Sequence, residues 1–310
     1  MYWAVGATSL SLSCRVFWDT VGGKTQSAYR RIACFVGPSG RVSGRPDGCG
    51  CPHLGWSAPT VDAAGEGADT QGMSDVVELD GVGRTFRSGE GSLTALDEVS
   101  LSISAGTFVA VMGATGSGKS TLLHCAAGLD RPTRGMVRLC GSDLVRMSER
   151  GLARVRRERV GFVFQSYNLL SGLTVEQNVL LPHRLGAPLA MTATDVFTQV
   201  GLLGTEHRPV GELSGGQRQR VAVARALITG PEVVFADEPT GALDPTTGHH
   251  ILELLRSAVD DRGVTVVMVT HDPLAASVSD RLVLLRAGRV VADRPTPDAA
   301  SIAAELRAVA

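Results

Sequence analysis

The feature that most constrains the fold is a glycine-rich loop placed between an apolar run and a helical stretch. Residues 107–112 read as a strand buried on both faces of a parallel sheet. Residues 113–120 follow with the pattern G-x-x-x-x-G-K-S, and residues 122–128 have helical character. In this setting backbone N–H groups turn toward an anion, and the helix N-terminus adds its positive dipole end. The pattern predicts a site for a nucleoside triphosphate.

Basic residues single out one position of this loop. Of 30 basic residues 28 are Arg, and the two Lys are Lys24 and Lys119. An ammonium is a compact point charge that a guanidinium does not replace. We expect Lys119 to reach the β- and γ-phosphates and the Ser120 hydroxyl to bind Mg²⁺. The candidate phosphate-binding residues of this phosphate loop are Gly113, Ala114, Thr115, Gly116, Ser117, Gly118, Lys119, Ser120 and Thr121.

Two further buried strands end in polar residues. Residues 232–237 finish on Asp237 with Glu238 next, and residues 264–270 are followed by His271. The carboxyl ends of parallel strands meet at one sheet edge, where α/β proteins bind ligands. Asp237 is therefore a candidate Mg²⁺ ligand, and Glu238 is a candidate for orienting water. A lone His is more often structural, but this convergence favours a γ-phosphate role for His271.

A second predicted anion site lies at another helix start. Residues 213–217 read Leu-Ser-Gly-Gly-Gln before an apolar-faced helix, and Ser214 and Gln217 have capping-box spacing. Alone, this pattern indicates only a helix cap. Asp244, followed by Pro245, predicts the N-cap of a further helix that ends near residue 259.

Together and in this order, the motifs resemble an ATP-binding cassette (ABC) ATPase. They are residues 113–121, Gln165, 213–217, Asp237 with Glu238, 241–244 and His271, and the similarity covers about residues 75–292. The resemblance implies an α/β fold: a P-loop NTPase of the ABC type. It has a mostly parallel core sheet, an antiparallel β subdomain and a helical subdomain that carries the signature segment, residues 213–217.

The resemblance also implies a reaction and a dimer. Mg²⁺-dependent ATP hydrolysis would use Gln165, Glu238 and His271 as catalytic residues, with Ser120, Gln165 and Asp237 at the metal. Phe86 would stack on adenine, where the family usually has Tyr. Two copies would stack head to tail, so that the signature segment of one serves ATP held by the other. The implied contacts to the partner's ATP are Ser214, Gly215, Gly216, Gln217 and Asp244.

Finer similarity indicates a subtype. Residues 90–96 and 236–244 look like those of the lipoprotein-releasing and macrolide-export group. The DNA-repair branch of the family inserts a long coiled coil between the Gln165 position and the signature segment. Only 48 positions separate Gln165 from Leu213 here, which excludes that branch. This implies a separately encoded membrane permease and a peripheral location at the cytoplasmic face of the plasma membrane. The alternatives are a cell-division cassette, an importer ATPase and a soluble non-transport ATPase. Residues 169–178 are expected to be helical and to receive the permease, or to be ordinary core.

Composition excludes other classes. The formal net charge of −1 gives no basic field for nucleic acid, and no apolar run reaches the ~18–20 residues that span a bilayer. Residues 73–310 are predicted to be the ATPase domain. Residues 1–72 hold all three Trp and four of six Cys, without sustained periodicity. They are a disordered extension, a small module or, as we favour, an upstream read-through with Met73 as the true start. Cys49, Cys51 and His53 indicate chance clustering rather than zinc.

Overall fold

The computed structural model describes residues 75–88 and 91–309. The predictions for residues 1–72, including those on Lys24 and on the Cys49–His53 cluster, lie outside the described residues. In this part of the chain no helix is both long enough and apolar enough to cross a bilayer.

The strands form two sheets. In chain order they are β1 Asp75–Ser88, β2 Gly91–Ser104, β3 Phe108–Met112, β4 Arg134–Leu139, β5 Ser142–Asp143, β6 Val160–Phe164, β7 Val233–Asp237, β8 Thr265–Val269, β9 Arg281–Arg286 and β10 Arg289–Pro295. Strands β2-β1-β4-β5 make an antiparallel sheet. The six-stranded sheet has the order β10-β9-β3-β8-β7-β6 and is parallel except for β10.

Helices connect the parallel strands. They are α1 Lys119–Ala126, α2 Glu149–Arg159, α3 Val175–Val179, α4 Leu181–Arg184, α5 Ala193–Gln199, α6 Gly215–Leu227, α7 Pro245–Arg262, α8 Pro273–Ala276 and α9 Ala299–Val309. Helices α2 to α6 precede β7, and most of them lie between the carboxyl end of β6 and that strand. The predicted combination of a mostly parallel sheet, an antiparallel sheet and a helical part is confirmed.

The parallel sheet has an apolar core on each face. Strand β3 is buried along its whole length, and its side chains alternate between the two cores. Phe108, Ala110 and Met112 pack with residues of α6 and α7, whereas Val109 and Val111 pack with β1, β2 and α1. Burial on both faces explains why the strand reads as a continuous apolar run.

Helix caps follow the sequence closely. Ser214 Oγ accepts from Gln217 N at 3.2 Å, and Gln217 Oε1 accepts from Ser214 N at 2.9 Å, which is the predicted capping box. Asp244 caps α7 by accepting from Thr247 N at 3.0 Å. The prediction that α7 ends near residue 259 was too short. The helix continues to Arg262, because the left-handed residue that terminates it is Gly263, with φ of 66°.

The segment after Gln165 corrects another expectation. Residues 169–178 were predicted to be helical, but helix begins only at Val175, after the Thr174 cap. Tyr167 and Asn168, just before this segment, have φ of 62° and 47°, so no right-handed helix runs into it from β6. The fully buried Asn178 stabilises the loop instead, since its amide bonds Leu170 N, Leu170 O and Thr174 O at 2.8–3.1 Å.

Helix α6 lies unusually close to β6. A Cβ atom built at Gly161 would be 2.6 Å from the backbone oxygen of Ala226. No larger residue fits between these two backbones.

Candidate nucleotide-binding and catalytic site

The phosphate loop leads from β3 into α1 as predicted. Lys119 is 8% exposed, and its Nζ donates to the carbonyl oxygens of Gly113 and Ala114 at 2.9 Å each. Burial lowers the pKa of Lys119, while Glu238 and Asp237 act in the opposite direction. A compact ammonium thus lies inside the loop, next to two carboxylates.

Glycine is required at both ends of this loop. A Cβ at Gly113 would be 2.1 Å from Leu285 O, and one at Gly118 would be 2.2 Å from Ala95 O. Gly118 also has φ of 101°. The exposed part between them is Ala114, Thr115 and Gly116, whereas Ser117 is buried and its Oγ has no hydrogen-bond partner among the described residues.

Strand β7 brings a carboxylate to the start of α1. Ser120 Oγ donates to Asp237 Oδ1 at 3.2 Å across 117 positions of sequence. Burial raises the pKa of Asp237, and the Ser120 hydrogen bond and the nearby Lys119 ammonium act in the opposite direction. The loop and the acidic strand therefore meet at one sheet edge, as the strand order predicts.

Glu238 and His271 form a pair at the same edge. His271 Nδ1 lies 3.0 Å from Glu238 Oε1. Glu238 has a left-handed φ of 46°, and its backbone is held by bonds from Glu238 N to Val269 O and from Gly241 N to Glu238 O. A non-glycine residue rarely adopts this conformation, and such residues cluster at functional sites. It turns the carboxylate toward the ring that follows β8.

Gln165 comes from the neighbouring strand, directly after β6. A Cβ built at Gly241 would be 3.0 Å from Gln165 Nε2 and 3.2 Å from Glu238 Oε2. Both side chains therefore border Gly241, where a larger residue would push them apart. The structure brings together Gln165, Lys119, Asp237, Glu238 and His271.

Other predicted residues lie elsewhere. Among the described residues no hydrogen bond joins Ser214, Gly215, Gly216 or Gln217 to the phosphate loop of the same chain. Gly216 faces Thr247 at the start of α7, which Asp244 caps, and Gly215 faces the Tyr167 hydroxyl. Phe86 lies on β1, and the Arg84 guanidinium sits 4.4 Å from its ring centroid.

Two residues that the sequence patterns did not single out reach loops of the site. Gln219 Nε2 donates to Pro239 O at 2.7 Å, and Arg225 donates to the carbonyls of Tyr167 and Asn168. The sequence could have indicated that Gln219 is buried, because the residues four and seven positions on, Val223 and Ala226, belong to the apolar face of α6. Arg225 carried no such signal.

The oxygen atoms at this edge fit Mg²⁺. Ser120 supplies a hydroxyl, Asp237 a carboxylate and Gln165 an amide, and Mg²⁺ prefers such hard ligands. Burial that raises the pKa of Asp237 makes a nearby divalent cation favourable, because the cation would restore the ionised form. These residues would hold the ion.

The sequence is similar to those of a known protein family. Residues 96–241 match the profile of the family described as ABC transporter. The chain is 44% identical over 222 residues to the macrolide export ATP-binding/permease protein MacB of Neisseria gonorrhoeae strain FA 1090, covering 70% of this chain and 34% of that protein. It is 42% identical over 230 residues to MacB of Salmonella typhimurium strain LT2, covering 73% and 35%. The chain thus spans about a third of the length of these relatives.

Solved structures give a fuller match. The ATP-binding cassette MJ0796, solved as a dimer in a post-hydrolysis state bound to ADP and Pi, is 38% identical with a TM-score of 0.67. The match covers 71% of this chain and 99% of that one. The structure of cbiO1 from Clostridium perfringens, part of the complex cbiONQ, is 26% identical with a TM-score of 0.62, covering 74% and 91%.

Proposed function

This chain belongs to the ATP-binding cassette family, and from that membership we propose that it is the ATP-hydrolysing component of an ABC transporter. One observation carries the proposal. Strands β3, β7 and β8 deliver a lysine in a phosphate loop, two adjacent carboxylates and a histidine to the same sheet edge. Those groups are what phosphoryl transfer to water requires: charge stabilisation, a metal ligand and a base.

Binding uses the phosphate loop. Lys119 Nζ, which donates to two loop carbonyls, is placed to donate to β- and γ-phosphate oxygens. Backbone N–H groups of residues 113–121 surround the phosphates, and Phe86 stacks on adenine. Mg²⁺, when bound by Ser120, Gln165 and Asp237, neutralises the charge of the phosphate oxygens.

Hydrolysis uses the Glu238–His271 pair. Glu238 accepts a proton from the attacking water, which Gln165 helps to position beside Gly241. His271 steadies the γ-phosphate from Nε2, while its Nδ1 lies 3.0 Å from Glu238 Oε1, a contact that orients the ring.

A second copy completes the site. The capped N-terminus of α6 in one copy, residues 214–217, would face the γ-phosphate of ATP bound by the other, with Asp244 at the seam. The dimer of MJ0796 supports this arrangement. Closure of the dimer excludes water, which strengthens the electrostatic interactions inside.

The wider role concerns a membrane partner. We propose a permease encoded separately, with this chain bound to it at the cytoplasmic face of the plasma membrane. The similarity to MacB favours export, or mechanical work across the membrane, on a lipoprotein, peptide or drug. No nucleic-acid partner is proposed.

ATP turnover and affinity test the enzymatic part. Lys119→Ala should weaken ATP affinity about 10- to 100-fold, because charged hydrogen bonds worth roughly 1.5–3 kcal/mol are lost. Arg150→Ala removes an exposed cation from α2 and serves as the control. Unchanged ATP affinity in Lys119→Ala, measured by calorimetry, contradicts the proposed phosphate loop.

A mild-detergent pull-down from native membranes, with mass spectrometry, tests the partner. We expect a permease of about four spans with a large outer domain. A permease of five or six spans with a solute receptor supports import instead. Recovery of the cassette alone contradicts the transporter role.

A further inference from the structure

Helix α6 contacts two loops of the site in its own chain, through residues that follow its capped first turn. One is the corner that begins at Glu238, and the other is the turn that follows Gln165. The contacts are made by Gln219 and Arg225, and among the described residues neither side chain hydrogen-bonds to the phosphate loop.

Gln219 supports the corner after Glu238. It is fully buried, and its Nε2 donates to Pro239 O at 2.7 Å. The opposite amide orientation would set oxygen against oxygen, so the donor must face Pro239. The remaining atom, Oε1, is buried without a hydrogen-bond partner among the described residues. An unpaired buried oxygen costs about 1–3 kcal/mol, which offsets the contribution of the bond to Pro239, so the pair adds little net stability.

Arg225 supports the turn after Gln165. Its Nη1 donates to Asn168 O at 2.6 Å and its Nη2 to Tyr167 O at 2.9 Å. Both acceptor residues have left-handed φ. No carboxylate pairs with Arg225 in the described ranges, and burial lowers the pKa of its guanidinium. Burying part of a cation costs free energy, and two carbonyl acceptors without a carboxylate compensate that cost only in part.

A third contact reinforces the turn. The Arg218 guanidinium lies 5.4 Å from the centroid of the Tyr167 ring. Arg218 and Arg225 are seven positions apart and so share one face of α6, whereas Gln219 points toward the other loop. The helix therefore holds both loops at the same time.

We infer that Gln219 and Arg225 are positioning residues through which α6 holds Glu238 and Gln165 of its own subunit in place for hydrolysis. The inference rests on the proposed function. Because the N-terminus of α6 would contact ATP bound by the partner, the nucleotide in one site acts through α6 on the catalytic groups of the other. Binding and hydrolysis are then separable: loss of either contact lowers turnover and leaves ATP affinity unchanged.

Gln219→Met and Arg225→Met are the test variants. Methionine matches the length of glutamine but donates no hydrogen bond. We expect kcat to fall about tenfold or more in each variant, since small displacements of catalytic groups cost up to about 100-fold. The KM for ATP and the ATP dissociation constant should stay within a factor of about two, because neither side chain hydrogen-bonds to the phosphate loop.

Conservative variants provide rescue. A buried glutamic acid without a cation stays protonated and can donate, so Gln219→Glu should keep more turnover than Gln219→Met. Arg225→Lys keeps a charged donor group but not the planar fork that reaches both carbonyls, so its turnover should fall between those of wild type and Arg225→Met. Partial recovery of kcat by these variants is expected if the hydrogen bond positions the loop, and is not expected if only the volume of the side chain matters.

Val223→Ala is the matched control. Val223 is fully buried on α6 between the two positions, so its truncation lowers the unfolding temperature without removing either hydrogen bond. A low kcat in the methionine variants, with Val223→Ala near wild type, supports the inference. More than half of wild-type kcat in both methionine variants overturns it, as does an equal loss in Val223→Ala. Turnover that is insensitive to Lys119→Ala overturns the proposed function itself.

Discussion

At the scale of single residues, the site depends on one strained backbone position. Glu238 adopts a left-handed conformation that costs a non-glycine residue about 1–2 kcal/mol. Hydrogen bonds of its N–H and C=O to Val269 and Gly241 maintain it. The strain places the carboxylate at the sheet edge, next to His271.

Glu238→Gln keeps the shape of this side chain and removes its basicity. We expect turnover to fall at least about 100-fold, the usual contribution of a general base. ATP should still bind, and the variant should accumulate as an ATP-bound dimer in size-exclusion chromatography. Near-normal steady-state hydrolysis by this variant would exclude Glu238 as the base.

The two described cysteines are predicted to resist alkylation. Burial raises the pKa of Cys125 to about 11 and that of Cys140 to about 12. Only the thiolate reacts, and a raised pKa lowers its fraction at pH 8 about 100-fold or more relative to an ordinary cysteine. Peptide mass spectrometry after brief iodoacetamide treatment should find both unmodified in native protein and modified in urea. Rapid native labelling at either position contradicts the burial described here.

At the scale of elements, motifs predicted helix starts better than loops. The Ser214 cap follows from Gln217 three positions on, and the Asp244 cap follows from the Pro245 next to it. The turn at Tyr167 and Asn168 could not be predicted, because its left-handed residues are held by Arg225, 57 and 58 positions away. The burial of Gln219 could have been predicted from the apolar face of α6, but its bond to Pro239, 20 positions away, could not.

The end of α7 offers a clean test of backbone conformation. Gly263 has φ of 66°, and a Cβ added there meets nothing within 4 Å. Gly263→Ala should therefore cost about 1–2 kcal/mol of unfolding free energy through conformation alone.

Two matched substitutions accompany this measurement. Gly263→Asn should cost less, since Asn tolerates the left-handed region. Gly172 also has open space but no left-handed φ, so Gly172→Ala should be neutral or slightly stabilising. Equal urea midpoints for Gly263→Ala and Gly172→Ala would rule out this explanation of the helix end.

At the scale of the whole molecule, the fold could be predicted because each buried strand is a continuous apolar run and each ends in polar residues at the same sheet edge. The sheet order places β3 between β9 and β8, which puts the phosphate loop one strand from His271 and two from Glu238. The antiparallel sheet was expected only from family resemblance, because its long strands alternate irregularly across bulges.

We propose that residues 73–310 form the cassette domain. Within the part of the chain that the structure describes, both core clusters are built from residues between Val76 and Ile302. A chain that starts at Met73 should match the full chain in thermal unfolding temperature and in ATP turnover. A shorter chain that precipitates, or that loses turnover, would show that residues 1–72 contribute to the domain.

The close approach of α6 to β6 has a mechanical consequence. At Gly161 the two backbones meet without an intervening side chain. Where side chains separate two elements, they can change rotamer as the elements move. Two backbones in direct contact cannot adjust in this way, so the contact between α6 and β6 is stiff. A sub-ångström displacement of α6 would therefore pass undiminished to β6, whose last residue is followed by Gln165.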